Sequence, residues 1–288
     1  MLTVNTMRDR SGAPRPGGPR RPNLLLGGLS PRRRVLVVVT VLLVAAGGAA
    51  AGVAAASSGS GPAVTGYPPQ DRPGPVLLVP GYGGQVSSLY PLAERIRSTG
   101  RQATVISLPG NGTGDLNADA AVLNTAVDRA LQGGAPSVDV IGYSAGGVVV
   151  LLWARQDDGS AKARRVVTLG SPFHGAQIAA GAEGFVPGAC PVACQQLVPG
   201  SPLLAGIDAT PVPYRPRWLS LWTTDDQVVT PPTSARLPGA MNVPVQSVCP
   251  AQRISHDQLP SNPVVTAMVL QAIGPGPLRA PTPAVCGA

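Results

Sequence analysis

Histidine is nearly absent from this sequence. Two occur in 288 residues, His174 and His256, and the four cysteines include no C-x-x-C pair. A structural zinc site needs four such ligands at close spacing, so a metal centre has little to be built from. Charge is also scarce, at 12% of residues, and it is unevenly spread. Residues 1–56 carry eight arginines, at positions 8, 10, 15, 20, 21, 32, 33 and 34, against one acid, Asp9. The other 14 of the 22 basic residues and 13 of the 14 acidic ones nearly cancel. The formal charge of +8 therefore does not describe a basic body able to track a phosphate backbone, and no nucleic-acid partner is expected.

What the body lacks in charge, residues 35–56 lack entirely. That stretch, VLVVVTVLLVAAGGAAAGVAAA, is a run of 22 residues without a charge, directly behind the arginines. A basic flank keeps the start of such a run on the cytoplasmic side, so a membrane is expected to meet the chain here and the rest to lie outside. Residues 1–34 then form a basic cytoplasmic segment and 35–56 a signal peptide or a transmembrane anchor. The small residues of AAASSG (54–59) suit cleavage, and the length suits an uncut anchor. A Gly/Pro/Ser linker over 57–74 leads into a domain at 75–288. All four cysteines, Cys190, Cys194, Cys249 and Cys286, fall after this segment, an even number in an oxidising compartment. Three pairings are open. Cys190 with Cys194 and Cys249 with Cys286 are preferred, because the first closes the local CPVAC loop and the second fastens the C-terminal tail.

Apolar residues make up 44% of the chain, enough for a sizeable core, and the 36 glycines and 33 prolines mostly punctuate the apolar runs. Short β-branched runs at 75–80, 102–108, 137–143, 164–170, 217–223 and 243–248 predict six strands. Most are apolar on both sides, as strands buried on two faces are. Helical periodicity lies between them at 86–100, 115–134 and 145–156, and again at 262–274. This alternation predicts an α/β fold, a mainly parallel sheet of about six strands with helices on both faces, behind an N-terminal apolar helix. Residues 172–214 break the rhythm, hold one cysteine pair, and are read as a cap insertion. The aliphatics of 198–207 either line a pocket there or pack the insertion.

In VDVIGYSAGGVVVLLW (138–153), one serine stands between two glycines where a strand pattern becomes a helix pattern. In a chain with 36 glycines, a G-x-S-x-G match carries little by itself, and the setting decides. A strained strand-turn-helix exposes a serine hydroxyl, and the helix start behind it offers free N–H groups to a developing oxyanion. Gly142 and Gly146 are needed where strand and helix cross without room for side chains. Ser144 is therefore the candidate nucleophile, and it needs a base. TTDDQVV (223–229) and then SHDQL (255–259) follow in chain order, which supplies Ser, Asp and His in the order of one known arrangement. His256 is the candidate base. His174, in LGSPFHGA, has no acid after it in that order and is read as structuring its loop, with substrate contact as the alternative.

Four pieces, VPGYGG (79–84), GYSAG (142–146), DDQVV (225–229) and SHDQL, together resemble the α/β-hydrolase family, in particular its small bacterial secreted triacylglycerol lipases and esterases. The resemblance spans residues 75–274. It implies a serine carboxylic ester hydrolase that acts on a lipid or small ester without cofactor or metal. By the same resemblance, Asp226 supports His256, with Asp225 as second candidate, and the N–H groups of Tyr82 and Ala145 form the oxyanion hole. Pro80 stands where the family usually has histidine, a change that removes a side chain and leaves the Tyr82 donor. An acyltransferase, thioesterase or phospholipase acting on cell-envelope lipids through the same residues is the alternative. A non-catalytic scaffold of the same fold is a third reading.

Overall fold

The computed structural model describes residues 67–185, 190–208, 212 and 216–287. The basic segment and the uncharged run 35–56 lie outside the described residues. Among the described residues, no helix is long and apolar enough to cross a membrane.

Six strands form one all-parallel sheet: β1 (Val76–Val79), β2 (Ala103–Val105), β3 (Val138–Tyr143), β4 (Ala163–Leu169), β5 (Arg217–Trp222) and β6 (Met241–Pro244). Their order is β2-β1-β3-β4-β5-β6. The chain leaves β1 for the edge strand β2 and returns to the other side of β1 as β3. The order reverses there, and in an open parallel sheet ligands bind outside the strand C-termini at such a point.

The predicted strands are found with shorter bounds. On the second strand, Ile106 still donates to Leu78 (2.8 Å) before the chain turns away through Pro109–Gly112. The sixth strand starts earlier than expected and stops at Pro244, which has no N–H to continue the ladder, so Val245–Val248 form a helical turn instead.

The helices that flank the sheet are α1 (Tyr90–Arg97), α2 (Leu116–Gln132) and α3 (Ala145–Gln156). Three short ones, α4 (Gln177–Phe185), α5 (Val192–Gln196) and α6 (Pro202–Asp208), lie in the expected insertion, and α7 (Pro263–Ala272) closes the fold. Asp115 caps α2 by accepting from the Asn117 N–H (3.0 Å), and Asn262 caps α7 by accepting from Val264 (2.9 Å). Leu89, Leu92, Ile96, Val265 and Met268 fill one face of the sheet, whereas Leu116, Leu123, Val148 and Leu151 fill the other. The first ten residues of α3 are all buried, which explains why that helix is apolar around its whole circumference. The insertion packs on the same side: Leu204 and Ile207, from the 198–207 aliphatics, join the core around α3. The cysteines pair as preferred, Cys190 with Cys194 and Cys249 with Cys286.

The strands are not apolar throughout. At the end of the sheet where β3 and β4 begin, Asp139 and Arg164 are both fully buried. They meet through two bonds, Arg164 Nε to Oδ1 (3.0 Å) and Arg164 Nη2 to Oδ2 (2.5 Å). Arg101 donates to the same Oδ2 (2.7 Å). Spare N–H groups of Arg164 reach the carbonyls of Gln70 (3.1 Å), Ile273 (2.5 Å) and Gly274 (2.8 Å). The segment from Gln70, expected as linker, is thereby tied to the sheet together with the end of α7. Removing one partner of such a cluster strands a buried charge, which costs about 3–5 kcal/mol. Asp139→Ala is expected to lower the melting temperature by roughly 10 °C, measured by calorimetry.

A second buried carboxylate, Asp119 on α2, has an oxygen without a hydrogen-bond partner. Burial and then repulsion from Asp115 push its carboxyl up to about 6. The folded state thus binds this proton more tightly than the unfolded one, and stability falls as pH rises from about 4 through 6. Asp119→Asn is expected to remove that fall and to raise the melting temperature at pH 7, in melting curves recorded between pH 4 and 8.

Candidate active site

Ser144 joins β3 to α3 with φ 52° and ψ −128°, a conformation that L-residues rarely adopt. Such a backbone costs on the order of 1–3 kcal/mol and persists only where its surroundings impose it. The surroundings here are main-chain atoms in contact. A Cβ on Gly142 would lie 2.6 Å from the Gly147 Cα, and one on Gly146 would lie 2.3 Å from the Val79 carbonyl oxygen. Both glycines named from the sequence are thus required. A third, Gly147, is required as well, since its Cβ would fall 1.9 Å from Ser171 Oγ. The doubled glycine of GYSAGG was the available signal. The Ser144 N–H donates to Leu169 (2.8 Å), which anchors the turn to β4.

The histidine and the acid arrive from two later strand ends. His256 sits in a 3-10 turn, His256–Gln258, fastened by a capping box between Ser255 and Gln258. Asp226 follows β5, and its Oδ1 accepts from the N–H groups of Val228 (2.9 Å) and Val229 (2.8 Å). Its Oδ2 meets His256 Nδ1 at 2.7 Å, and His256 Nε2 meets Ser144 Oγ at 2.9 Å. A carboxylate only accepts, so Nδ1 carries the proton and Nε2 is free to accept from the serine hydroxyl. Asp226 and His256 are both buried. It is Asp226 that the structure brings to the histidine. The neighbouring Asp225 has a buried oxygen with no partner.

Other residues that sequence reasoning missed set this line. Thr223 Oγ1 donates to the Ile254 carbonyl (2.7 Å) and accepts from Gln246 (2.8 Å), joining the acid loop to the histidine loop. Gly170, directly after β4 with φ 56°, leaves room for the histidine loop: a Cβ there would stand 2.7 Å from Leu259 Cδ1 and 3.2 Å from His256 Nδ1 and Cε1. Nothing local in the sequence marks these contacts, because each joins separate strand ends.

The loop after β1 passes beside the serine, with a Gly81 Cβ position 2.8 Å from Ser144 Cβ. Tyr82 follows in that loop, and Ala145 is the first residue of α3, whose first N–H groups have no partner within the helix. His174 lies elsewhere, its Nε2 3.0 Å from the Arg236 carbonyl and its N–H directed to Ser234, contacts within and between loops.

This geometry stands beside clear likenesses. Residues 76–279 match the Alpha/beta hydrolase family. The chain belongs to that family. Among solved structures, Aspergillus fumigatus lipase B is similar at a TM-score of 0.62 and 19% identity, over 79% of this chain and 59% of the fungal one. Bacillus licheniformis lipase BlEst2 in its propeptide form gives 0.60 and 21%, over 75% of this chain and 53% of that one. Its mature form gives 0.57 and 22%, over 71% and 92%. This chain therefore spans little more than half of the fungal lipase and of the propeptide form. At these identities the likeness is one of fold. No curated protein sequence matches the chain.

The close contact at the turn gives a direct test. Gly147→Ala is expected to lower both the melting temperature, by several degrees, and any turnover that depends on Ser144, since overpacking costs about 1–3 kcal/mol. Gly206→Ala on α6, where a Cβ meets nothing within 4 Å, should leave stability equal or higher in the same melting experiment.

Proposed function

We propose that this protein is a serine carboxylic ester hydrolase, of lipase or esterase type, working through Ser144, His256 and Asp226. The observation that carries the reading is the unbroken line from Ser144 Oγ to His256 Nε2 at 2.9 Å and from His256 Nδ1 to Asp226 Oδ2 at 2.7 Å. A serine hydroxyl is a weak nucleophile, and a neutral imidazole already within hydrogen-bond reach is what activates it.

In the first half-reaction, Ser144 Oγ forms a bond to the ester carbonyl carbon while its proton passes to His256 Nε2. The carbonyl oxygen takes up the negative charge, and the N–H groups of Tyr82 and Ala145 receive it. The carbon–oxygen bond to the alcohol then breaks, and His256 returns the proton to the leaving oxygen. Water repeats the sequence on the acyl-enzyme: it loses a proton to His256, releases the acid, and Ser144 regains its hydrogen. Asp226 keeps Nδ1 protonated and stabilises the imidazolium that forms twice per cycle. Solved structural neighbours described as lipases are in keeping with this chemistry.

The place of action follows from other features. We place the domain outside the cytoplasm, delivered or held by residues 35–56. The basic flank of that run supports this, and two disulfides are compatible with an oxidising compartment.

The test is hydrolysis of p-nitrophenyl esters from acetate to palmitate, together with labelling by a fluorophosphonate. Ser144→Ala and His256→Ala are expected to abolish turnover, and Ser144→Ala to abolish the label. Asp226→Asn should cost about a thousandfold or more in kcat. Asp225→Asn should keep near-normal kcat; the reverse ranking would move the acid by one residue.

A further inference from the structure

Ser144 and His256 are contributed by segments 112 residues apart, and they must stay 2.9 Å apart through two proton transfers. One side chain touches both ends of this arrangement. Tyr143 is the last residue of β3 and the residue before Ser144. Its ring packs with the core on the sheet face covered by α1 and α7, the face on which Ile254 and Leu259 of the histidine loop also rest. From there it meets His256 twice. The two rings lie with centroids 5.2 Å apart and planes tilted by 33°. The phenol O–H donates to the main-chain carbonyl of His256, with the two oxygens 3.2 Å apart.

We propose that Tyr143 is a positioning residue for His256, holding its backbone through the hydroxyl and its imidazole through the ring. The inference rests on the Ser144–His256 reading above. Two contacts carry it, and two further observations are in keeping with them. The hydroxyl bonds the carbonyl of the histidine residue itself, so the Cα from which the imidazole swings is tied to the strand that carries the serine. The ring lies within about 6 Å of the imidazole, the range in which an aromatic face attracts a cation. That attraction exists only once His256 is protonated, in the states that follow proton transfer, so it favours those states over the resting enzyme. Gly170 leaves space for the imidazole without adding a side chain, so the ring meets tyrosine without crowding from that glycine. Burial, and then the charges of Asp257 and Asp226, push the tyrosine hydroxyl above its ordinary range, which keeps it protonated and able to donate.

Two substitutions separate the contacts. Tyr143→Phe keeps the ring and loses the hydroxyl; Tyr143→Leu loses both. On a p-nitrophenyl ester that the wild type hydrolyses, kcat is expected to fall about 2–10-fold in the phenylalanine variant, the scale of one neutral hydrogen bond. In the leucine variant it should fall roughly 10–100-fold. KM should stay within about twofold in both, because the effect lies in states after binding. The low-field proton resonance of the His256–Asp226 hydrogen bond should broaden or shift in the same order, in protein whose melting temperature is close to wild type. Wild-type kcat in both variants overturns the proposal. A kcat loss that follows a lowered melting temperature while the low-field resonance is unchanged overturns it too, because Tyr143 would then be ordinary core. Ser144→Ala run alongside distinguishes the two levels. If that variant stays active, the serine reading fails, and the resonance, which needs no substrate, still reports on whether Tyr143 holds His256.

Discussion

The contact between the end of β3 and the start of α3 sets the terms for everything around it. Strand and helix approach so closely that main-chain atoms fill the space a Cβ would occupy at Gly142 and Gly146, and the Ser171 side chain fills it at Gly147. The chain can pass from one to the other only through a residue with positive φ, and that residue is Ser144, at 52°. The strain is imposed by packing on both sides: Leu169 of β4 holds the Ser144 N–H, and α3 is buried along its first ten residues. The serine hydroxyl is consequently presented from a rigid turn, at the point where the strand order reverses.

The remaining residues reach that turn from separate strand ends, and their precision comes from short bonds between loops. Asp226 is fixed by two N–H donors of its own loop, and the same loop is tied to the histidine segment through Thr223 and Gln246. Tyr143 adds a link from the strand of the serine to the backbone of the histidine. Ser144, His256 and Asp226 meet at one end of the parallel sheet. The other end is closed by a buried ionic cluster, Asp139 with Arg164 and Arg101, that gathers the segment at Gln70 and the end of α7. The two ends differ in kind: one holds a strained turn, and the other neutralises the buried Asp139 with two arginines whose spare N–H groups tie in main-chain carbonyls.

Much of this was legible because periodicity is local. Six strand runs, the four helices outside the insertion that the periodicity predicts and the strand-serine-helix motif were readable from residues within twenty of one another, and the order Ser, Asp, His narrowed the candidates to Ser144, Asp226 or Asp225, and His256. Three features escaped that reading. The buried charges of β3 and β4 sat in runs that otherwise read as apolar, and their partners come from remote parts of the chain. Gly170 and Thr223 looked like any strand-end residues. The sixth strand was read too late because its β-branched residues continue past Pro244 into a helical turn.

By itself, the sequence determined the alternation of strands and helices, the concentration of basic charge and of a long uncharged run in residues 1–56 ahead of a nearly neutral remainder, and the presence of one serine in a turn that demands glycine. These depend on residues close along the chain, where side-chain period and backbone sterics act directly. Only the tertiary structure decided which of two adjacent carboxylates meets His256, which cysteines pair, and which side chains hold the imidazole. Those outcomes turn on differences of an ångström between segments tens of residues or more apart, and it is the packing of the whole sheet that fixes such distances.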